Sequence, residues 1–78
     1  MIEIAVKMSK DFSEELADFD DALHKIGLQI IKQQIVNSCL GERIALTINA
    51  QNGSQAKKIH ELACEYFRQA YVFLSLAA

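Results

Sequence analysis

His60 and Cys64 stand four residues apart, a spacing that places two side chains on the same face of a helix. An imidazole and a thiol arranged in this way can ligate a metal ion or form a Cys–His nucleophilic pair. A structural zinc site needs about four ligands, and nothing in the sequence places His24 or Cys39 beside this pair. We therefore favour a surface histidine beside a packed cysteine, and predict neither catalytic residues nor metal ligands.

Two other charged groups have the composition of binding sites but not their spacing. Asp18, Asp20 and Asp21 fall within a predicted helix and lack the glycine and the spacing of a calcium loop. Lys57 and Lys58 begin a second predicted helix, but the preceding "NGS" is not a phosphate-binding loop. Catalytic triads, nucleophile elbows and dinucleotide-binding motifs are missing from the sequence. These patterns favour a non-enzymatic protein that uses no cofactor.

The composition narrows the class of protein further. A chain of 78 residues with 51% hydrophobic residues and no proline is typical of one packed domain. A net charge of −2 without a basic stripe disfavours binding to nucleic acid. No apolar run approaches the roughly 18 residues of a membrane span, and "MIEIAVKMSK" lacks the basic start of a signal peptide. We expect a cytoplasmic protein without membrane contact, in which Cys39 and Cys64 are free thiols.

The first half of the chain predicts a strand followed by a helix. "IEIAVKM" alternates between apolar and polar residues, as a half-buried strand does. Asp11, with Glu14 three residues later, matches a capping box, and Gly27 falls where a glycine commonly ends a helix. A helix over residues 12–26 follows, with an apolar stripe of five residues. The stripe consists of Phe12, Leu16, Phe19, Leu23 and Ile26.

The segment after Gly27, "LQIIKQQIVN", is compatible with two structures. A helix continued through Gly27 costs about 1 kcal/mol relative to alanine and places glutamines on the apolar stripe. A strand fits better, although its apolar residues do not all face one side, which a β-bulge or burial on both faces explains. We predict a strand here and keep the longer helix as the alternative.

The second half of the chain predicts a strand, a helix and a final strand. "RIALTINA" alternates cleanly, Gly53 suits a turn, and Ser54 suits the N-cap of a helix over residues 55–70. "YVFLSLA" is typical of a strand. The order β-α-β-β-α-β with right-handed crossovers predicts an α+β, ferredoxin-like sandwich. Its four-stranded antiparallel sheet has the order 4-1-3-2, with two helices on one face. The apolar stripe of the second helix consists of Ile59, Leu62, Ala63, Tyr66 and Ala70.

The sheet face opposite the helices is predicted to be mixed, with several apolar residues. An open face of this kind usually contacts a partner, and a second copy of the chain is the simplest one. We therefore expect a homodimer. The residues predicted on this face are Glu3, Ala5, Lys7, Ile31, Ile35, Ala45, Thr47, Asn49, Tyr71, Phe73 and Ser75.

The chain resembles ACT-like domains, a group that includes the small regulatory subunits of acetohydroxyacid synthase. The resemblance rests on a helix that ends in "KIGLQI", the long hairpin after it and the hydrophobic strand "AYVFLSL", and covers nearly the whole chain. ACT domains often carry a proline–glycine pair at the start of the first helix, where this chain has "SKDFS".

The resemblance implies a dimeric regulatory module with a small effector, often an amino acid, at the subunit interface. Lys10 then meets a carboxylate and Asp11 an amino group. The alternative is that Asp11 only caps the helix and Lys10 is only solvated. The positions that match the effector site are Ser9, Lys10, Asp11, Gly27, Leu28 and Gln29.

A second resemblance keeps another class of function open. "ALHKIG" and "HELACEYF" are similar to the helices of the small subunit of formylglycinamidine ribonucleotide synthase, although the stretch that follows its second helix has no counterpart here. This resemblance implies a module that works by assembly. The competing class of function is therefore a protein-interaction subunit, an assembly factor or a host-directed inhibitor. Such a protein binds a larger partner protein and no small ligand.

Overall fold

The four strands form one antiparallel sheet in the order β2-β3-β1-β4. A computed structural model describes residues 1–38, 41–50, 53–70 and 72–76. The fold is α+β and ferredoxin-like, with both helices on one face, so the predicted architecture and strand order are confirmed. The elements are β1 (Ile2–Lys7), α1 (Phe12–Lys25), β2 (Ile30–Ser38), β3 (Gly41–Ile48), a short 3-10 turn (Gly53–Gln55), α2 (Ala56–Tyr66) and β4 (Phe73–Leu76).

The core lies between the sheet and the helices, and the central strands β1 and β3 form its sheet side. Alternate side chains of each strand point towards the helices and are buried, and in β3 the intervening Ala45 and Thr47 are buried as well. Phe67 joins the helical side of the core, with its ring centroid 5.7 Å from that of Phe12 and 5.1 Å from that of Phe19. The buried residues of the two strands are Ile2, Ile4, Val6, Ile44, Leu46 and Ile48.

The C-terminal end of α1 shows whether the segment after Gly27 is a strand or a continuation of the helix. Gly27 has φ +79°, and its N–H donates to the carbonyl of His24 at 3.1 Å. The N–H of Leu28 donates to the carbonyl of Leu23 at 2.9 Å. This pair of hydrogen bonds is a Schellman motif, and both leucines are buried beside each other in the core. The helix therefore ends before Gly27, as predicted, although Ile26 is exposed and not part of the buried stripe.

The N-terminal end of α1 differs from the prediction. Asp11 occupies the cap position, but its side chain makes no capping hydrogen bond, so the predicted box with Glu14 does not form. Instead, the hydroxyl of Ser9 donates to Oε1 of Glu15 at 2.8 Å. Because Glu15 is 8% exposed, this bond satisfies a carboxylate that is nearly buried in the first turn.

Helix α2 is shorter than predicted at both ends. Its cap residue is Gln55 and not Ser54, and its last residue is Tyr66, so Ala70 is an exposed residue beyond the helix. Arg68 adopts a left-handed conformation with φ 55°, and the N–H of Gln69 donates to the carbonyl of Cys64 at 3.1 Å. A reversal of this kind usually requires glycine, which is why the sequence suggested that the helix continued.

Strand β2 pairs with β3 in a register that is interrupted near its start. Ile30 lies opposite Ile48, whereas Lys32 lies opposite Thr47, which leaves Ile31 as the extra residue of a β-bulge. The predicted strand is confirmed, with its start at residue 30 and not at 28, and of the two explanations for its mixed faces the bulge is the one observed. The last strand begins at Phe73, later than predicted, and Tyr71 lies outside the described residues.

Replacement of Gly27 by alanine should destabilise the domain through the backbone alone, because a Cβ at Gly27 meets no atom within 4 Å. A left-handed conformation costs a residue with a Cβ about 1–2 kcal/mol. Each kcal/mol of lost stability lowers the Tm of a domain of this size by roughly 4–8 °C. Thermal unfolding followed by circular dichroism measures the change. Gly27→Asn is the control, and it should lose less than alanine because asparagine tolerates this conformation. Equal losses in both variants would contradict the backbone explanation.

Arg68 offers the converse experiment. Arg68→Gly should raise the free energy of unfolding by roughly 0.5–1 kcal/mol, because glycine adopts the left-handed conformation without steric cost. Denaturant titration measures this change. Arg68→Ala keeps the strain and removes only the side chain, so it should give no increase. A rise in stability with alanine that equals the rise with glycine would show that the side chain, and not the backbone, is responsible.

Candidate functional site

The residues that the ACT-like resemblance assigns to an effector lie at opposite ends of α1. Ser9, Lys10 and Asp11 precede the helix, and residues 27–29 follow it. Because α1 has 14 residues, the two groups are separated by about 20 Å at about 1.5 Å per residue. One chain therefore does not bring them together, and a complete site of this kind needs a second chain.

Four of the six residues have structural roles, in part through their backbone, and Lys10 and Asp11 face solvent. The Ser9 hydroxyl is bound to Glu15, and Leu28 is buried in the core. Gln29 and Asn49 link the start of β2 to the end of β3 by two hydrogen bonds. The N–H of Gln29 donates to Oδ1 of Asn49 at 2.9 Å, and the N–H of Asn49 donates to the carbonyl of Gln29 at 3.2 Å. The side chains left exposed are those of Lys10, Asp11 and Gln29.

A groove of about 540 Å³ runs between α1 and the start of β2. Its floor is apolar and its rim carries polar groups, a combination that is usual in ligand and peptide sites. The groove lies on the side of the sheet at which β2 has no neighbouring strand. Its lining consists of Phe12, Ser13, Leu16, Ala17, Asp20, Ile30 and Gln33.

The outer edge of β2 continues this groove and exposes an unusual amount of apolar surface. Ile31 is 46% exposed, Ile35 58% and Val36 41%. β2 is nine residues long and contains no proline. A long edge strand with these features can pair with a strand of another chain.

The register of β2 corrects the predicted position of Ile35. Opposed residues of antiparallel strands share a face of the sheet. Ile35 lies opposite the buried Ile44, so it projects on the helix side, and the prediction that placed it on the open face is wrong. Val36, opposite Arg43, takes the open side instead. The physical reason is the bulge at Ile31, which shifts the alternation of the strand by one residue.

Most of the residues predicted on the open face are confirmed by the register. Its most exposed apolar side chains among the described residues are Phe73 and Val36. The guanidinium carbon of Arg43 lies 5.0 Å from the ring centroid of Phe73, although β1 separates their strands. Sequence patterns do not predict this contact because it depends on the register of β3 and β4 against β1. The confirmed residues are Glu3, Ala5, Lys7, Ala45, Thr47, Phe73 and Ser75.

His60 and Cys64 do share a face of α2, as their spacing predicts. The Cys64 sulfur lies 3.8 Å from Nδ1 and 3.9 Å from Nε2 of the imidazole. Cys64 is a half-buried free thiol, whereas Cys39 lies outside the described residues. In the described part of the chain, no cluster of three or more His, Cys, Asp or Glu side chains could hold a metal ion.

The acidic and basic groups singled out in the sequence lie on helix surfaces. Asp18 and Asp21 are exposed on α1, and Asp20 contacts His24 one turn later, with a distance of 3.5 Å from Oδ2 to Nδ1. Lys57 and Lys58 are exposed near the start of α2. No helix within the described ranges is long and apolar enough to cross a membrane.

Comparison with known protein families, with curated proteins and with solved structures finds no match. The fold is therefore established by the strand order and helix placement, and the resemblance to ACT-like domains stays a prediction. Any functional conclusion has to come from the surfaces of this chain.

Proposed function

We propose that this chain is a non-enzymatic module that forms a homodimer through the outer edge of β2 and serves as a regulatory domain. The observation that carries the proposal is the exposure of Ile31, Ile35 and Val36 along a strand whose outer edge has no partner strand. Burial of apolar surface in a second copy stabilises both chains by about 25 cal/mol per Å². The free thiol of Cys64 suits a reducing compartment, so we place the module in the cytoplasm.

The length and composition of β2 also favour pairing with a strand of a second copy. Edge strands of stable monomers are commonly short or carry proline and inward-pointing charges that block further pairing. β2 has nine residues, and Lys32 is its single charged side chain. Pairing with another β2 satisfies the outer hydrogen-bonding groups and continues the sheet across the interface.

A two-fold axis also accounts for the divided effector site. An axis perpendicular to the sheet pairs the two β2 strands antiparallel, and each copy presents the same surface to the other. The partner is then inverted, so its α1 C-terminal end lies at the same end of the assembly as the α1 N-terminal end of the first copy. In this arrangement Lys10 and Asp11 of one copy approach residues 27–29 of the other. An amino acid with its carboxylate on Lys10 and its amino group on Asp11 is the effector that we propose.

The dimer is tested by light scattering on the purified chain, whose monomer mass is 8.7 kDa. We expect twice that mass for the wild type and the monomer mass for the double variant Ile35→Lys, Val36→Lys, because edge lysines oppose strand pairing. Both side chains are more than 40% exposed, so the fold should persist in the circular dichroism spectrum. Met8→Lys is the matched control, since Met8 is 42% exposed but lies outside β2.

Other outcomes separate the proposal from its alternative. A folded wild-type monomer would refute the homodimer and favour the assembly-subunit class, in which a larger protein covers the edge of β2. A dimer that survives both lysine substitutions would place the interface on another surface.

Effector binding is tested by a thermal-melt screen against the common amino acids. A ligand at a hundred times its Kd stabilises the folded state by about 2.7 kcal/mol, or roughly 10 °C or more in a domain of this size. The shift should disappear in Lys10→Gln and also in the double lysine variant of β2. A shift that the monomeric variant retains would contradict a site built from two copies.

A further inference from the structure

We propose that Lys7 and Arg43 bind the oxyanion group of a small organic anion, a carboxylate or a phosphate. The two side chains face a cavity of about 390 Å³ on the open side of the sheet, bounded also by Gln69, Ala70 and Phe73. Neither the effector positions at the ends of α1 nor any residue of β2 lines this cavity. The inference therefore does not depend on the proposed dimer.

The register of the sheet brings two positive charges together at this point. Lys7 lies directly opposite Arg43 in the β1–β3 pair. Directly opposed side chains are about 5 Å apart at Cβ, and like charges in directly opposed positions destabilise the sheet. An anion between them removes this repulsion and forms charge-assisted hydrogen bonds with both cations.

No carboxylate of the described residues neutralises the pair. Glu3 faces the same side of the sheet but is four residues from Lys7 along β1, about 13 Å at about 3.3 Å per residue. Glu42 adjoins Arg43 but projects to the other face, because successive residues of a strand alternate. The ion pair between His24 and Asp20 lies on α1 and involves neither Lys7 nor Arg43.

Two contacts hold the cations in position. The guanidinium of Arg43 lies over the ring of Phe73 at 5.0 Å. A guanidinium held over a ring keeps its in-plane N–H groups available to a bidentate oxyanion. Gln69 makes two hydrogen bonds with the backbone of Lys7. Its Nε2 donates to the Lys7 carbonyl at 2.9 Å, and its Oε1 accepts from the Lys7 N–H at 3.3 Å. This pair of bonds fixes the end of β1 from which Lys7 projects.

The cavity also indicates the rest of the ligand. Its volume lies at the lower end of the roughly 300–1,000 Å³ of small-molecule sites. Phe73 is 45% exposed and offers an apolar surface beside the two cations. A ligand with an oxyanion at one end and a flat apolar body at the other matches both features.

The probes are inorganic phosphate, phenyl phosphate and benzoate, titrated at constant ionic strength into the isotope-labelled full chain and followed by the backbone amide resonances. We expect saturable shifts at Lys7, Arg43 and Phe73, with phenyl phosphate bound several-fold more tightly than inorganic phosphate because of contact with Phe73. Benzoate tighter than phenyl phosphate would identify a carboxylate ligand, and the reverse order a phosphate ligand. Shifts that are linear and scattered over all the lysines would overturn the proposal.

Charge-neutral variants test the role of each cation. Arg43→Gln and Lys7→Gln should each weaken the binding of phenyl phosphate about tenfold or more, the loss of a charge-assisted contact. Lys32→Gln is the matched control, because it removes one positive charge from the same face, opposite Thr47 and away from the cavity. It should change the affinity by less than about twofold, the effect of screened surface charge.

A stability measurement without ligand completes the test. Lys7→Gln should raise the Tm of the free protein, since it removes the repulsion of Arg43, while it lowers the affinity for phenyl phosphate. Equal loss of affinity in Lys32→Gln, or a fall in Tm with Lys7→Gln, would show that the pair is an ordinary surface feature and would overturn the proposal.

Discussion

The reversal at Gly27 is the constraint on which the rest of the structure depends. Its left-handed backbone lets the N–H of Leu28 reach the carbonyl of Leu23, which ends α1 and buries both leucines. The next residue, Gln29, then exchanges two hydrogen bonds with Asn49 and aligns the start of β2 with the end of β3. A continued helix would remove β2 and with it the edge on which the proposed association depends.

The bulge at Ile31 determines what that edge presents. By shifting the alternation of β2, it turns Ile35 towards the helix side and Val36 towards the open side. Apolar side chains therefore project on both faces of this edge strand, and the groove beside α1 continues the apolar surface. An edge that is apolar on both sides buries more surface against a second strand than an edge with one apolar side.

The two proposed sites occupy different parts of the molecule and use different physical interactions. The edge of β2 relies on strand pairing and the burial of aliphatic side chains. The cavity beside Lys7 and Arg43 relies on charge, because two cations in opposed positions gain most from a shared anion. On the intervening strand β1, Lys7 lies opposite Arg43 and Ala5 lies opposite Phe73, so the guanidinium reaches the ring diagonally across β1. Binding at one site can therefore be measured without disturbing the other.

Local patterns in the sequence were sufficient to predict the elements, their order and the sheet topology, because each helix and strand carries its own hydrophobic period and Gly27 favours the end of the first helix over its continuation. They failed where the signal was not local. Asp11 makes no capping hydrogen bond while Ser9 binds the Glu15 carboxylate, and the reversal after α2 is made by Arg68 without a glycine. Tertiary structure alone decided the direction of Ile35, the distance between the two halves of the predicted effector site and the meeting of Lys7 with Arg43. Each of these depends on which residues oppose one another across strands, and that register arises only when the whole sheet is assembled.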